Sequence, residues 1–367
     1  MTMVDGSDPF LASLTTVEMP IVDDPSRDQP RKSPSFRASG VVEAVGSMVS
    51  AAVLGYVVCR FFSWGGLMGP GLVTAALFVG IFSTVIRESS GAEAAADRVA
   101  HVLILVLALT AVLPLVAMVS FVTLKGLAAF RLGFFVQDMA KVGPLDKGGG
   151  ALHAIIGSLE QVGIASLVAV PLALLSAVYL NEMKGKMAKY VRFMVDAMSG
   201  VPSVVAGLFI YAAWVVGLHQ GPSGFAASLA LIVLMLPTIT RTSEEVLRTI
   251  SDSLREASLA LGAPQWRTVL GVVLPTARSG IITATLLGVA RAVGETAPMI
   301  LTTRGSSRTN TNPFQDQQGD LPLFIYQLLR QPNQAQVDRA FTGAFILLLL
   351  VGLLFTLARL AGTSRRK

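Results

Sequence analysis

RTSEEVLRTISDSLREASLALGAPQWRTVLGVVLPTARSGIITATLLGVARAVGETAPMILTT, residues 241–303, divides into two parts of opposite character. The first part is polar, has a helical pattern and lies between two apolar runs. The second is an apolar run carrying Arg291 and Glu295. A structured polar loop beside a span with an ion pair points to a membrane protein. Such a protein couples an event outside the bilayer to movement through it.

Composition agrees. Of 367 residues, 53% are hydrophobic and 14% are charged, where a soluble domain carries about 25% charge. The apolar residues come in blocks of roughly 20, the length that crosses ~30 Å of hydrocarbon. The net charge of +6 arises from 29 basic and 23 acidic residues. Basic cytoplasmic loops account for it, and no basic–aromatic motif supports nucleic-acid binding. The single cysteine, Cys59, excludes an intrachain disulfide and a Cys-rich metal site. His101, His153 and His219 show no metal-ligand spacing, so no metal site is expected.

The expected fold is all-α, a polytopic bundle. Residues 1–40, rich in Pro, Asp and Ser, read as a disordered cytoplasmic tail. Residues 41–98 read as an extra hairpin, Val41–Cys59 and Leu67–Ile86, joined by RFFSWGG and followed by a polar linker. Residues 99–361 hold six spans: 99–124, 152–180, 199–218, 225–240, 277–301 and 341–361. The fourth is expected to end near Pro237, leaving 241–275 as a polar loop. NEMKGKMAKYVR reads as a short loop, with Lys184, Lys186, Lys189 and Arg192 giving the clearest positive-inside signal. In the long outer loop 302–340, LPLFIYQLL is expected to form a short amphipathic helix. Residues 362–367 are a basic tail. Eight spans put both termini in the cytoplasm.

Within 241–275, Ser253-Leu-Arg-Glu256 fits a capping box, a hydroxyl N-cap with a glutamate three residues on. Asp252 suits a helix N-terminus. The helix is expected to reach Leu261, with Gly262 in the left-handed position beyond it and Pro264 preventing continuation. A second helix is expected from Pro264 to Leu274, ahead of Pro275. Leu254, Ala257 and Leu261 form an apolar stripe, with Arg255, Glu256 and Ser258 off it. Such a helix either packs on its own bundle or docks a cytosolic partner.

In the second part, Gly280, Ala284, Gly288 and Ala292 recur every four residues, a stripe that admits a close neighbouring helix. Arg291 and Glu295 are spaced to pair. Counted from Ala277, Arg291 lies roughly 21 Å along the axis, beyond the midplane. Its guanidinium offers a planar fork of donors to a tetrahedral oxyanion, and Thr296 and Thr302 offer hydroxyls nearby. A structural ion pair that fixes helix register is the alternative.

Glu256-Ala257-Ser258, then Gly262, then Val272-x-Leu274-Pro275 resembles the EAA loop of importer-type ABC permeases, with Ser258 and Val272 as conservative departures. TRTSEEVLR, GAPQWRTVLGVVLPTARSGI, ARAVGETAP and VPSVVAG, spread over residues 150–301, resemble the PstA family of phosphate-specific ABC permease subunits. The resemblance implies a type I importer core of six spans that is not itself an enzyme. It implies that Asp252, Ser253, Arg255, Glu256, Ala257, Ser258, Gly262 and Pro264 engage an ATPase, and that Arg291 and Glu295, with Thr296 and Thr302, lie on the anion pathway. It also implies a PstC-like permease partner, a PstB-like ATPase dimer that holds ATP and Mg²⁺, and a PstS-like phosphate-binding protein outside a prokaryotic cell membrane. This chain has no Gly-x-x-x-x-Gly-Lys-[Ser/Thr] loop, so ATP would be bound by another polypeptide. Rival readings are a permease for another oxyanion such as sulfate and an ion-coupled secondary carrier, whose internal repeat is not seen. A membrane-embedded enzyme is disfavoured because the spans show no nucleophile–base pair.

Overall fold

The computed structural model describes residues 38–61, 68–143, 145, 146, 148–183 and 185–363. The expected tails, the RFFSWGG linker and Lys184 lie wholly or largely outside them. The described residues contain helices and no strands, the outcome a bilayer imposes, because each backbone N–H and C=O must find its partner within the segment. The chain divides into two compact units, Met1–Leu113 and Pro114–Lys367.

In the first unit, α1 (Ala38–Phe61) and α2 (Met68–Ser90) pair as an antiparallel hairpin. Gly55 lies against the backbone of Thr74, and Phe82 and Ile86 are buried with Ala44 packed on them. Arg98, near the start of α3 (Ala92–Ala128), reaches Glu43 at 3.1 Å. The α3 helix continues through Pro114 into the second unit.

The second unit is built on α4 (Leu152–Glu182), α7 (Gly224–Arg248), α10 (Leu274–Val293) and α13 (Gln334–Thr363). Ala165, Ala169 and Ala173 of α4 are fully buried at every fourth position, so α7 packs closely with Leu231, Met235 and Ile239 against them. The small stripe of α10 works in the same way. Gly280 lies under Val246 and Gly288 under Ile239, while Ala284 and Ala292 are buried. Leu347, Leu350, Val351 and Leu354 of α13 close the core.

Several expected boundaries move. The fourth span does not stop at Pro237. Helix α7 runs on to Arg248, so TRTSEEVLR is its C-terminal end rather than loop. NEMKGKMAKYVR is not a loop throughout, because α5 (Lys186–Ser199) starts inside it. Its inner face buries Ala188 and Val195, and Lys186 and Lys189 stay exposed. The span expected over 199–218 starts later. Between α5 and α6 (Ser203–Ile210) the chain bends by 102°, and a wide π segment, Tyr211–Gly217, completes α6. Pro202, extended at φ −58° and ψ 141°, sets that bend. The helix expected to end before Pro275 does not end there. Gln265–Thr268 (α9) passes through a π turn, Val269–Val273, straight into α10. The widened turn accommodates the proline ring and its missing N–H.

The span expected over 277–301 breaks instead at Gly294–Thr296 and resumes as α11 (Ala297–Thr302). The short helix over LPLFIYQLL is present as α12 (Leu321–Leu329), but its first turn is buried in the bundle rather than lying on the surface. Six single helices among the described residues are long and apolar enough to cross a membrane, and the bent pair α5–α6 allows a seventh.

Gly207 of α6 faces the backbone of Pro298 in α11, where an added Cβ would sit 2.6 Å from the Pro298 Cα. Gly207→Ala should therefore destabilise by about 1–3 kcal/mol through overpacking. Thermal unfolding in detergent should show a clear fall in midpoint, and an unchanged midpoint would mean that the two helices do not approach this closely.

Candidate functional site

Two places carry chemistry, one at each end of the stretch that opens the sequence. The first is α8 (Asp252–Ala260), which stands between α7 and α9. Its N-cap is Ser251, whose hydroxyl accepts the Ser253 N–H at 3.3 Å, so the expected cap at Ser253 is displaced by two residues. The displacement has a cause in the register. Helix α7 persists to Arg248, and Ser251 is the first hydroxyl after the Thr249–Ile250 turn. The stop is as expected: Gly262 takes φ +82°, which a side chain would strain. Pro264 is extended and caps α9 rather than entering it.

The apolar stripe of α8 does not pack on the bundle. Leu254, Ala257 and Leu261 are exposed, Leu261 at 89%. The side turned to the protein carries Arg255 and Ser258. The Arg255 guanidinium donates to the carbonyls of Ile250 at 2.8 Å and Leu247 at 3.0 Å. It also pairs with Asp252 at 2.8 Å and Glu182 at 3.4 Å. Ser258 shares a hydrogen bond with Thr268 across the turn. No residue of α8 is buried. Arg255 and Ser258 thus fasten the rod, leaving Ser253, Glu256, Ala257 and the two leucines on its free side.

Behind this rod lies a charge cluster that sequence reading missed. Glu244, buried near the end of α7, accepts from Arg192 at 2.6 Å and Arg248 at 2.7 Å. Arg241 lies at 3.7 Å from the same carboxylate and also pairs with Asp196 of α5. The signal was present in TRTSEEVLR as two arginines at i−3 and i+4 of Glu244. Treating the segment as loop removed the helical spacing that shows it.

The second place is the outer end of α10. Arg291 sits in its last turn, where unpaired carbonyls favour a cation. Because the helix breaks at Gly294, Arg291 and Glu295 face each other across the break, Nε to Oε1 at 3.8 Å. The guanidinium stays 68% exposed. With the helical run beginning at Gln265, Arg291 is further along the span than a start at Ala277 implies. Below it on the same face, Thr276, Ser279, Thr283 and Leu287 are exposed at successive turns. The Thr276 and Thr283 hydroxyls donate to Val272 and Ser279 carbonyls of their own helix, leaving oxygen lone pairs outward. These hydroxyls were not anticipated. Thr296 is half-buried at the break. Thr302 is fully buried with its hydroxyl donating to Pro298, so it stands apart from the open face.

Residues 169–363 match the model of the family described as binding-protein-dependent transport system inner membrane component. The chain belongs to this family. It is 38% identical over 305 residues to phosphate transport system permease protein PstA 1 of Mycobacterium tuberculosis, covering 82% of this chain and 99% of that protein. It is 40% identical to PstA of Mycobacterium leprae over 73% of this chain and 89% of that one. It is 36% identical to PstA of Pasteurella multocida over 66% and 86%. Among solved structures, the inward-facing MetNI methionine ABC transporter matches 59% of this chain and 95% of its own at 20% identity and a TM-score of 0.47. A binding-protein-dependent permease of this family is a multi-pass, non-catalytic transporter subunit. The family match begins inside α4 and leaves the α1–α2 hairpin outside it.

Within this permease the Glu244 cluster ties α5 to α7 just behind the rod. Glu244→Ala would leave Arg192, Arg241 and Arg248 without their shared carboxylate. Breaking a buried pair costs about 3–5 kcal/mol, and the half-exposed arginines reduce that to roughly 2–3 kcal/mol. A lowered unfolding midpoint, with Glu245→Ala as a neighbouring control that changes little, is the expected result.

Proposed function

We propose that this chain is the PstA-type permease subunit of an ATP-driven inorganic phosphate importer in a prokaryotic cell membrane, with both termini cytoplasmic. It would form half of the pathway with a PstC-like permease. A PstB-like ATPase dimer, carrying ATP and Mg²⁺, would dock below, and a PstS-like protein would deliver phosphate from outside. The observation that carries the reading is the exposed rod α8, held by Arg255 but presenting Leu254, Glu256, Ala257 and Leu261 to the outside. The phosphate assignment is supported by the relatives' names and by the anion-binding chemistry of Arg291.

In this reading residues 99–361 are the transport domain, 41–98 an added membrane hairpin, and 1–40 and 362–367 cytoplasmic tails. The coupling element is α8 with its flanking turns. ATP-driven closure of the ATPases displaces α8. Arg255 passes that displacement to the ends of α7 and α4, and α10 continues from α9 toward Arg291. Glu295 draws off part of the Arg291 charge, so a second cation from the partner permease would complete the anion site. Ser279 offers the anion a further hydroxyl donor along the same face, while the Thr276 and Thr283 oxygens, whose hydrogens are engaged, can accept only from a protonated phosphate oxygen. Thr296 would contribute at the break, and Thr302 would do so only if α11 rotates.

Two experiments test this. Arg291→Gln should cut phosphate uptake in proteoliposomes by roughly 10- to 150-fold, the worth of about 1.5–3 kcal/mol for a charged hydrogen bond. Assembly and basal ATP hydrolysis should be retained. Normal uptake would remove Arg291 from the pathway, and sulfate competing as well as arsenate would point to a broader oxyanion carrier. Separately, Leu261→Asp should abolish ATPase co-purification without changing the unfolding midpoint, since Leu261 touches little of its own chain. Undiminished co-purification would rule out α8 as the docking element.

A further inference from the structure

At the end of the bundle opposite α8, residues 303–320 form a strap across α4. Gln318 is its centre. It accepts from Gln161 at 3.1 Å and donates to Glu160 at 2.5 Å and to the Asn310 carbonyl at 3.0 Å, while its backbone exchanges hydrogen bonds with Thr303. Gly157 and Gly319 let strap and helix touch backbone to backbone. Ser158 accepts the Leu321 N–H at 2.8 Å, where the strap turns into α12.

Beside this seam lies a cavity of about 60 Å³, lined among others by His153, Ser306, Ser307, Asp320 and Gln327. His153 and Asp320 are both nearly fully buried. One Asp320 oxygen caps α12 by accepting the Leu323 N–H at 2.9 Å. Its other oxygen, Oδ2, has no hydrogen-bond partner, and neither has Nδ1 of His153. Two orphaned buried atoms of complementary chemistry therefore line the same small cavity, a costly arrangement if both stay unsatisfied.

We propose that this cavity is a proton-binding site, in which one proton on Asp320 Oδ2 is passed as a hydrogen bond through a single bridging water to His153 Nδ1 and fastens the strap to α4. A protonated carboxyl donates through its O–H, and Nδ1 accepts in the imidazole tautomer that carries hydrogen on Nε2. The volume suffices for one water, which occupies roughly 30 Å³. The other groups around the site do not take the proton. Asp138, across from His153, is held below its ordinary value: burial pushes it up, but the N–H groups of Ala140 and Thr309 and the Thr309 hydroxyl outweigh this. It remains a carboxylate. Glu160 is engaged by Gln318. The cavity residues of α12, namely Leu323, Phe324, Gln327 and Leu328, are uncharged.

Burial raises the Asp320 carboxyl from 3.8 to about 7, against the opposing pull of the Leu323 N–H. The sign follows directly. The folded chain holds a proton that the unfolded chain has already lost, so the strap is tightest in acid, loosens as pH rises from about 4, and is fully weakened above about 7. An importer whose outer strap faces the medium would then respond to external pH near neutrality. The site is made only of this chain's own residues and stands whatever anion the permease carries.

The test uses the intact chain in lipid nanodiscs. Infrared difference spectra between about pH 6 and pH 8 should show loss of a protonated-carboxyl C=O band that shifts in heavy water and is absent in Asp320→Asn. Asparagine caps a helix as well as aspartate, so the variant should fold. Hydrogen exchange over 303–320, corrected for intrinsic rates, should accelerate about tenfold per pH unit between about pH 4 and pH 7, where the closed strap holds the proton and the open one does not, and level off above. In Asp320→Asn it should be independent of pH. His153→Gln should keep the band but move its midpoint. A band unaffected by Asp320→Asn, or strap exchange with the same pH dependence in wild type and variant, would overturn the proposal.

Discussion

The guanidinium of Arg255 is the contact on which the α8 end of this permease depends. Helix α7 ends with carbonyls that have no further turn to accept from. Arg255, reaching back from α8, caps the carbonyls of Leu247 and Ile250 and pairs with Glu182 at the end of α4. One planar, always charged group with several donors can join three helices in this way, whereas a lysine would offer a point charge. The rod stays outside the bundle yet remains fastened to it. A force applied to its exposed leucines is therefore transmitted to the two most tightly packed helices of the core.

Packing carries that force further because the core interface leaves little slack. Alanines of α4 against α7, and the small stripe of α10 against the same helix, bring the backbones close with few side chains that can yield. Interfaces of this kind shift between discrete arrangements rather than deforming continuously. The irregular turns lie where continuity would otherwise be lost. A π segment carries Pro275 into α10, the bend at Pro202 reorients α6, and the break at Gly294 separates Arg291 from Glu295. In a membrane such departures are tolerated only where protein or a water-filled space satisfies the backbone.

The two ends of the bundle use buried polar groups differently. At the α8 end, Glu244 is compensated by arginines and joins α5 to α7. At the other end, the strap is held by neutral amides and hydroxyls around Gln318, with Asp320 and His153 left incompletely satisfied beside it. The first arrangement is closed by opposite charges. The second contains groups whose hydrogen bonding depends on a proton.

Much of this protein was decided by local chemistry and could be read from the chain. Apolar runs of bilayer length require helices. Gly262 and Pro264 end the rod because a positive φ and a missing N–H act within a few residues. The four-residue recurrence of small side chains marks the close face of α10. The motif spacing that resembled ABC permeases needed no coordinates. Other features were decided only by tertiary contacts. The Glu244 carboxylate is buried and shared because Arg192 reaches it from another element. Arg255 faces inward and Leu261 outward because Arg255 caps carbonyls of Leu247 in α7 and of Ile250 in the turn after it. Asp320 and His153, far apart in sequence, share a cavity only because a strap crosses α4. Sequence alone fixes what each residue can do with its immediate neighbours, and the fold decides which distant charge, carbonyl or proton acceptor it meets.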